Sequence, residues 1–279
     1  SNPVLEAFGN AQTVRNHNSS RFGKFVKVAF DASGTKMVTM TLKTYLLEKV
    51  RVVSPAACER TFHVFYALLA GASPKDRARW GLRSQPEHAL TANASDSDAA
   101  AAEGNEGKYI ALGDALTCLT VRSEEQTDLL GLVSAILHLR DVRFVPLDDA
   151  DGGCRAVGTA ALSHAVKLLG CPGIAMRLVQ RVILTGREAE PVTVSLSPSQ
   201  ASAARDALCK AVYVALFEHI GRRFNEAAAA IGSQIRTAEE KAKKSTMKSP
   251  PVSGARRRMI DDDEDPQYSN NYPATAASS

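Results

Sequence analysis

Apolar positions along the chain follow two periods. In "ERTFHVFYALLAG", Phe62, Phe65, Tyr66 and Leu69 recur at i, i+3, i+4 and i+7, which is one face of a helix. Gly71 stands where a C-terminal cap belongs. His63 lies on the same helix and reads as a half-buried packing residue. "YIALGDALTCL" is again helical. In "SEEQTDLLGLVSAILHL", Leu129, Leu130, Val133, Ile136 and Leu137 share a face, and Ser123 with Gln126 three residues on is a capping-box signature. Two further helical segments span about 157–169 and 173–182. The longest helix opens at "SPSQ", with Ser197 as N-cap, Pro198 in the first position and Gln200 completing a capping box. Leu208, Val212, Leu216 and Ile220 then recur every four residues and carry the helix to about Asn225.

The second period is that of strands. "FVKVAF" and "KMVTMTL" are rich in β-branched and aromatic residues and flank the turn cluster "DASGT", which predicts a β-hairpin. "RVILTGREAEPVTVSLS" has strand-like ends around a charged centre and reads as a protruding hairpin or loop. Residues 92–107 are low-complexity and polar, a surface loop, and "PLDDADGGC" is a second such connection. From Ala227 onward large apolar residues nearly vanish. Such a segment buries too little surface to offset its ordering entropy, so structure is expected to be lost from about residue 236. The elements together make an α/β chain, mostly helical.

Composition changes this picture little. The 279 residues, 44% of them hydrophobic, suffice for one large domain or two ordinary ones. No apolar run approaches the ~20 residues of a membrane helix, so no membrane span is expected. The opening "SNPVLEAFGN" is not a secretory signal. It begins on Ser rather than Met, which hints at sequence upstream. Five scattered cysteines without a C-x-x-C pair support neither a zinc site nor a disulfide framework, and fit free thiols in a reducing compartment. The net charge of +4 conceals a basic run, 235–260, followed by the acidic run "DDDED". Adjacent runs of opposite sign read as a solvated segment, so nucleic acid is not an expected partner.

One stretch fits neither period. "RNHNSSRFGK", residues 15–24, crowds two Asn, two Ser, two Arg and a Lys around one Phe and one Gly. Asn amides and Ser hydroxyls can bind phosphate oxygens, and a Ser hydroxyl can ligate Mg²⁺. Arg21 can clamp a carboxylate. Gly23 would let the backbone turn tightly into the strand. Composition alone leaves two readings level: a nucleotide-phosphate loop, or a polar turn capping the hairpin.

"EAFGNAQTVRNHNSSRFGKF" resembles the switch I region of the myosin motor domain. "TYLLEKVRVVSP", "ERTFHVFYALLAGAS", "AILHLRDVRF" and "RDALCKAVYVALFEHIGRRFN" resemble further segments of that family in the family's order, over about residues 1–226. The resemblance implies a fragment of a P-loop NTPase-type motor domain: switch I, the upper half of the actin-binding cleft, and a β-hairpin of the central (transducer) sheet. Residues 227–279 would be a charged tail or insertion outside the family pattern.

The resemblance also implies an ATP-hydrolysing, actin-based motor in the cytoplasm and cytoskeleton, using ATP with Mg²⁺ and binding actin filaments. Asn16, Ser19 and Ser20 match the positions beside the γ-phosphate and metal, with Ser20 the Mg²⁺ ligand. Ser19 would sit by the attacking water. Arg21 would pair with a switch II glutamate, and His17 falls at a variable position. "LTGREAEPVTVSL" aligns with an actin-contacting loop, placing Arg187, Glu188 and Glu190 there, with Glu190 as a fixed acid or simply a solvated charge.

The phosphate-loop pattern G-x-x-x-x-G-K-[ST] and the switch II pattern Asp-x-x-Gly-Phe-Glu do not occur. "GNEGK" is no substitute, since Tyr109 follows its Lys. The remaining segments of the motor are therefore expected partners of this chain, and without them it is expected neither to turn over ATP nor to fold as a stable monomer. The alternative is a non-catalytic truncated head that binds actin or another motor.

Overall fold

A computed structural model of the chain describes residues 3–31, 33–92, 99–147, 152–185 and 190–247. Helix α1 (Pro3–Gly9) runs into strand β1 (Asn10–Ala11), which pairs antiparallel with β2 (Ser19–Ser20). Strands β3 (Gly23–Phe30) and β4 (Met37–Tyr45) form the hairpin that the alternating runs predict, with Gly23 opposite Tyr45 and a register shift between Ala29 and Phe30. Helices α2 (His63–Gly71), α3 (Pro74–Trp80), α4 (Ala99–Cys118) and α5 (Ser123–Asp141) follow. A short hairpin, β5 (Arg143–Pro146) with β6 (Cys154–Val157), leads to α6 (Thr159–Leu169) and α7 (Ile174–Arg177). Strands β7 (Gln180–Thr185) and β8 (Glu190–Ser195) pair as a hairpin, one of the two forms expected there, and α8 (Pro198–Met247) closes the described chain. Helix and strand are mixed, with helix prevailing.

The core forms where α1, α2, α4, α5 and α8 meet. Tyr213 of α8 is at its centre, fully buried, its ring stacked on Phe62 at 4.8 Å and on Phe65 at 5.6 Å. Burying a hydroxyl is costly unless it is bonded, and Tyr213 donates its own to the Phe8 carbonyl at 2.8 Å. Helix α2 is buried on every side, His63 through Leu69 alike, rather than on one face. The buried line of α8 runs Arg205, Cys209, Tyr213, Leu216, Phe217, Ile220, with Leu208 and Val212 half-buried at its flank. The five α5 positions of the predicted face are all buried.

Several expectations need correction. Ser123 does not cap α5; Arg122 holds that position without a side-chain bond, and the Gln126 amide instead donates to the Val121 carbonyl at 2.9 Å. The box at α8 does form: Gln200 N–H donates to Ser197 Oγ at 3.3 Å, and Ser197 N–H to Gln200 Oε1 at 3.0 Å. Gly71 is no left-handed cap. It is helical, and a Cβ there would lie 2.4 Å from Tyr109. Gly23 likewise makes no turn; it lies within β3, where a Cβ would lie 2.3 Å from the Tyr45 ring. Both glycines answer a close approach.

Residues 99–107 belong to α4 rather than to a loop, and α7 is a single turn, with strand β7 taking over from Gln180. Helix α8 continues past Asn225 to Met247, because its Ala, Glu and Lys residues keep high helix propensity where apolar periodicity has ended. The expected loss of structure from residue 236 is therefore wrong through Met247; residues 248–279 lie outside the described residues. Residues 1–236 form one compact unit, and the second, 237–279, is helical over its described part.

The outer edge of β4 is closed by a side chain. Asn225 accepts from Leu42 N–H at 2.7 Å and donates to Leu42 C=O at 2.9 Å, as a neighbouring strand would. Thr39 Oγ1 adds a bond to the Ala228 carbonyl at 3.2 Å. Unpaired strand groups would otherwise be left at this edge.

Candidate functional site

The polar stretch folds as a small hairpin, with Asn10 opposite Ser20 and Ala11 opposite Ser19 at its neck. Ala11 also bridges Phe62, so the neck is built on the entry to α2. Backbone bonds hold the neck to three places: Arg21 N–H to Gly9 O at 2.8 Å, Glu48 N–H to Arg21 O at 2.9 Å, and Arg60 N–H to Gln12 O at 3.0 Å. A loop rich in φ/ψ freedom is thereby fixed at its base while its crown stays open to water.

At the crown, Thr13 N–H and Oγ1 both bond the Asn16 carbonyl, at 2.8 and 3.1 Å. Asn16 Oδ1 accepts from Asn18 N–H at 2.8 Å. With its oxygen engaged inward, exposed Asn16 has its NH₂ left to offer, a donor suited to an anion. Ser20 Oγ donates to the Phe22 carbonyl at 3.1 Å. A hydroxyl that gives its proton to a carbonyl keeps lone pairs for another partner. Those lone pairs suit Mg²⁺, a hard cation taking about six oxygens, so the donor chemistry of Ser20 fits one ligand place. The other places need phosphate, water or other segments; among the described residues no cluster of three or more His, Cys, Asp or Glu could hold a metal.

Asn18 is the hub that sequence reasoning missed. Its Oδ1 accepts from Asn10 Nδ2 at 2.9 Å, and its Nδ2 donates to Glu6 Oε2 at 3.3 Å. His63 Nε2 stands 3.1 Å from the same Oδ1. That contact needs Nε2 to be the donor, which leaves His63 Nδ1 buried without a partner among the described residues. Burial, then the charges of Lys108 and Arg60, lower the His63 pKa to about 4, so the ring is neutral and holds Asn18 as an Nε2–H tautomer. His63 is thus fully buried and bonded, more than a half-buried packing residue.

Arg21 is the other anchor. Its Nη1 donates to Ser19 Oγ at 3.2 Å, and its Nε to Glu48. Within this chain the carboxylate partner of Arg21 is Glu48, where the resemblance implied a switch II glutamate. Glu48 is shared with Arg51, which donates through Nε at 3.0 Å and Nη2 at 3.3 Å. Burial pushes the Glu48 pKa up, but the bonds from Arg21 and Arg51 outweigh it and hold the carboxyl below its usual range.

The structure therefore brings Asn16, Asn18, Ser19, Ser20 and Arg21 together on one loop and adds Glu48 and His63 beside it. Glu48 and His63 lie 27 and 45 residues along the chain from their partners. Only the presence of polar residues among apolar neighbours hinted at them. Of the loop expected to touch actin, Arg187 and Glu188 fall outside the described residues. Glu190 opens β8, its backbone opposite Thr185, and its side chain is likewise outside the described residues.

Residues 1–238 match the family described as myosin head (motor domain). The chain is 37% identical to Myosin-1 of Malassezia globosa over 242 residues, covering 85% of this chain and 18% of that protein. It is 38% identical to unconventional myosin-Ic of Mus musculus over 231 residues, 82% of this chain and 21% of that protein. It is 40% identical to Myosin-14 of Arabidopsis thaliana over 230 residues, 81% and 15%. The chain thus spans about a fifth of the length of the curated relatives it matches.

Proposed function

The chain belongs to the myosin head (motor domain) family, and we propose that it supplies the γ-phosphate-sensing loop and the upper actin-facing part of an ATP-driven, actin-based motor. The observation that carries this is the loop 16–21, where an Asn NH₂, two Ser hydroxyls and a guanidinium stand together above a fixed base. Asn16, Ser19 and Ser20 bind the terminal phosphate region. Ser20 is the chain's ligand to Mg²⁺, which when bound neutralises charge on the phosphate oxygens. Ser19 lies beside the attacking water, where its hydroxyl orients that water and passes on a proton, and Arg21 holds Ser19 in place. Such chemistry asks for positioning and charge stabilisation rather than a covalent step. The β3–β4 hairpin belongs to the motor's central sheet in a P-loop NTPase-type fold, and the β7–β8 hairpin, with Arg187, Glu188 and Glu190, meets actin.

The test is phosphate release from MgATP by the full-length protein, with and without actin filaments. Actin-stimulated release is expected there and none from residues 1–279 alone, which lack the phosphate-loop and switch II patterns. Ser20→Ala in the full-length protein is expected to lower turnover by on the order of 10². Turnover that ignores actin, or survives Ser20→Ala unchanged, would overturn this reading.

A further inference from the structure

Arg21 has five N–H donors, and its bonds in the structure are to Glu48 and to Ser19. The Ser19 Oγ lone pair that receives Arg21 Nη1 is thereby occupied, so the Ser19 O–H has to point elsewhere. What fixes the guanidinium is Glu48, and what fixes Glu48 is Arg51. Arg51 is 3% exposed and spreads its donors over Glu48, Glu59 Oε2 at 2.8 Å and the Arg60 carbonyl at 3.0 Å. Its own carbonyl accepts the Thr61 hydroxyl at 3.0 Å. The pair is therefore asymmetric: one side of Glu48 rests on a buried, multiply bonded arginine, the other on an Arg21 side chain 29% exposed.

We propose that Glu48 is a positioning residue for the phosphate-facing loop, setting the direction of the Ser19 hydroxyl through Arg21. This rests on the reading of that loop given above. Buried Arg51 keeps Glu48 stationary, so Arg21 can swing only about a fixed carboxylate. Loss of the Glu48 charge frees Arg21, releases Ser19 Oγ and loosens the crown from Gln12 to Ser20, while the core beneath is unaffected.

The experiment is amide hydrogen exchange on the nucleotide-free full-length protein and its Glu48→Gln, Arg21→Ala and doubly substituted forms. Gln keeps size and an accepting oxygen but not the charge. Each single substitution is expected to raise exchange over Gln12–Arg21 by roughly fivefold, the scale of a half-exposed ion pair. The double form should equal Arg21→Ala alone, and the α2 amides Val64–Leu69 should not move. Equal increments from Glu48→Gln in the presence and absence of Arg21 would overturn the proposal, as would a wild-type loop in Glu48→Gln. If Glu48→Gln fails to fold, Glu48→Asp takes its place, with a smaller rise expected that again vanishes without Arg21. Separately, MgATP is expected to protect residues 16–20 in the full-length protein. Failure there would overturn the phosphate reading, while a measured Glu48–Arg21 coupling would still support the linkage.

Discussion

His63 and His138 show how single buried rings tie stability to pH. Each donates one ring N–H, His63 to Asn18 and His138 to the Trp80 carbonyl at 2.7 Å, and each has a buried Nδ1 without a partner among the described residues. Burial is the leading cause that lowers both pKa values to about 4. In the unfolded chain a histidine titrates near 6.5, so between these values the unfolded state binds more protons and stability falls as pH falls. Urea unfolding should show a flat midpoint above pH 7 and a decline from about 6.5 towards 4, on the order of 2–3 kcal/mol per histidine. His63→Gln keeps a donor for Asn18 but does not titrate, so its decline should be shallower; an unchanged slope would count against a buried, neutral His63. Residues like these mark the limit of sequence reading. Asn16 to Arg21 were legible because they are contiguous and too polar for either period. The links from that stretch to Glu48 and His63 were not, because a hydrogen bond across 27 or 45 residues leaves no periodic trace.

At the scale of elements, apolar spacing located the cores of α2, α5 and α8 and both long hairpins. It failed where another force set the boundary. Helix α8 outlasts its apolar stripe on propensity, and α7 yields to β7 because the pairing from Gln180 to Thr185 competes for the same residues. Gly71 and Gly23 were read as turn formers and are instead sites of ring contact, a distinction made only by Tyr109 and Tyr45 arriving from elsewhere. The Asn225 amide is a joint between elements that no pattern announced. Asn225→Ala would leave a strand N–H and C=O at Leu42 without partners, and should cost about 1–3 kcal/mol in thermal unfolding. Ser197→Ala, which removes only a cap, should cost about 1 kcal/mol. The reverse ranking would show that the joint is replaced by water without loss.

Across the whole molecule, β3 is bare on both of its faces. Phe25, Val26, Val28 and Phe30 are all exposed, Phe25 by 59%, although neighbours in a strand point to opposite sides. A strand apolar on both faces is one that other structure covers. The isolated 279-residue chain is therefore expected to self-associate as its concentration rises in sedimentation velocity, and Val28→Lys to suppress this. A monomer at all concentrations would contradict that picture. The Asn225–Leu42 joint carries a different consequence, for the chain's history. One inserted residue between Ser197 and Asn225 would rotate Asn225 by about 100° about the helix axis and carry its amide off the strand. The turn between β3 and β4 is held by its own bonds, Asp31 accepting from Ser33, Thr35 and Lys36, and although Gly34 sits at φ 73°, a Cβ there meets nothing within 4 Å, so its length is set locally and not by α8. Descent should thus have left the first half of α8 with an invariant length, and let insertions and deletions collect at the hairpin tip.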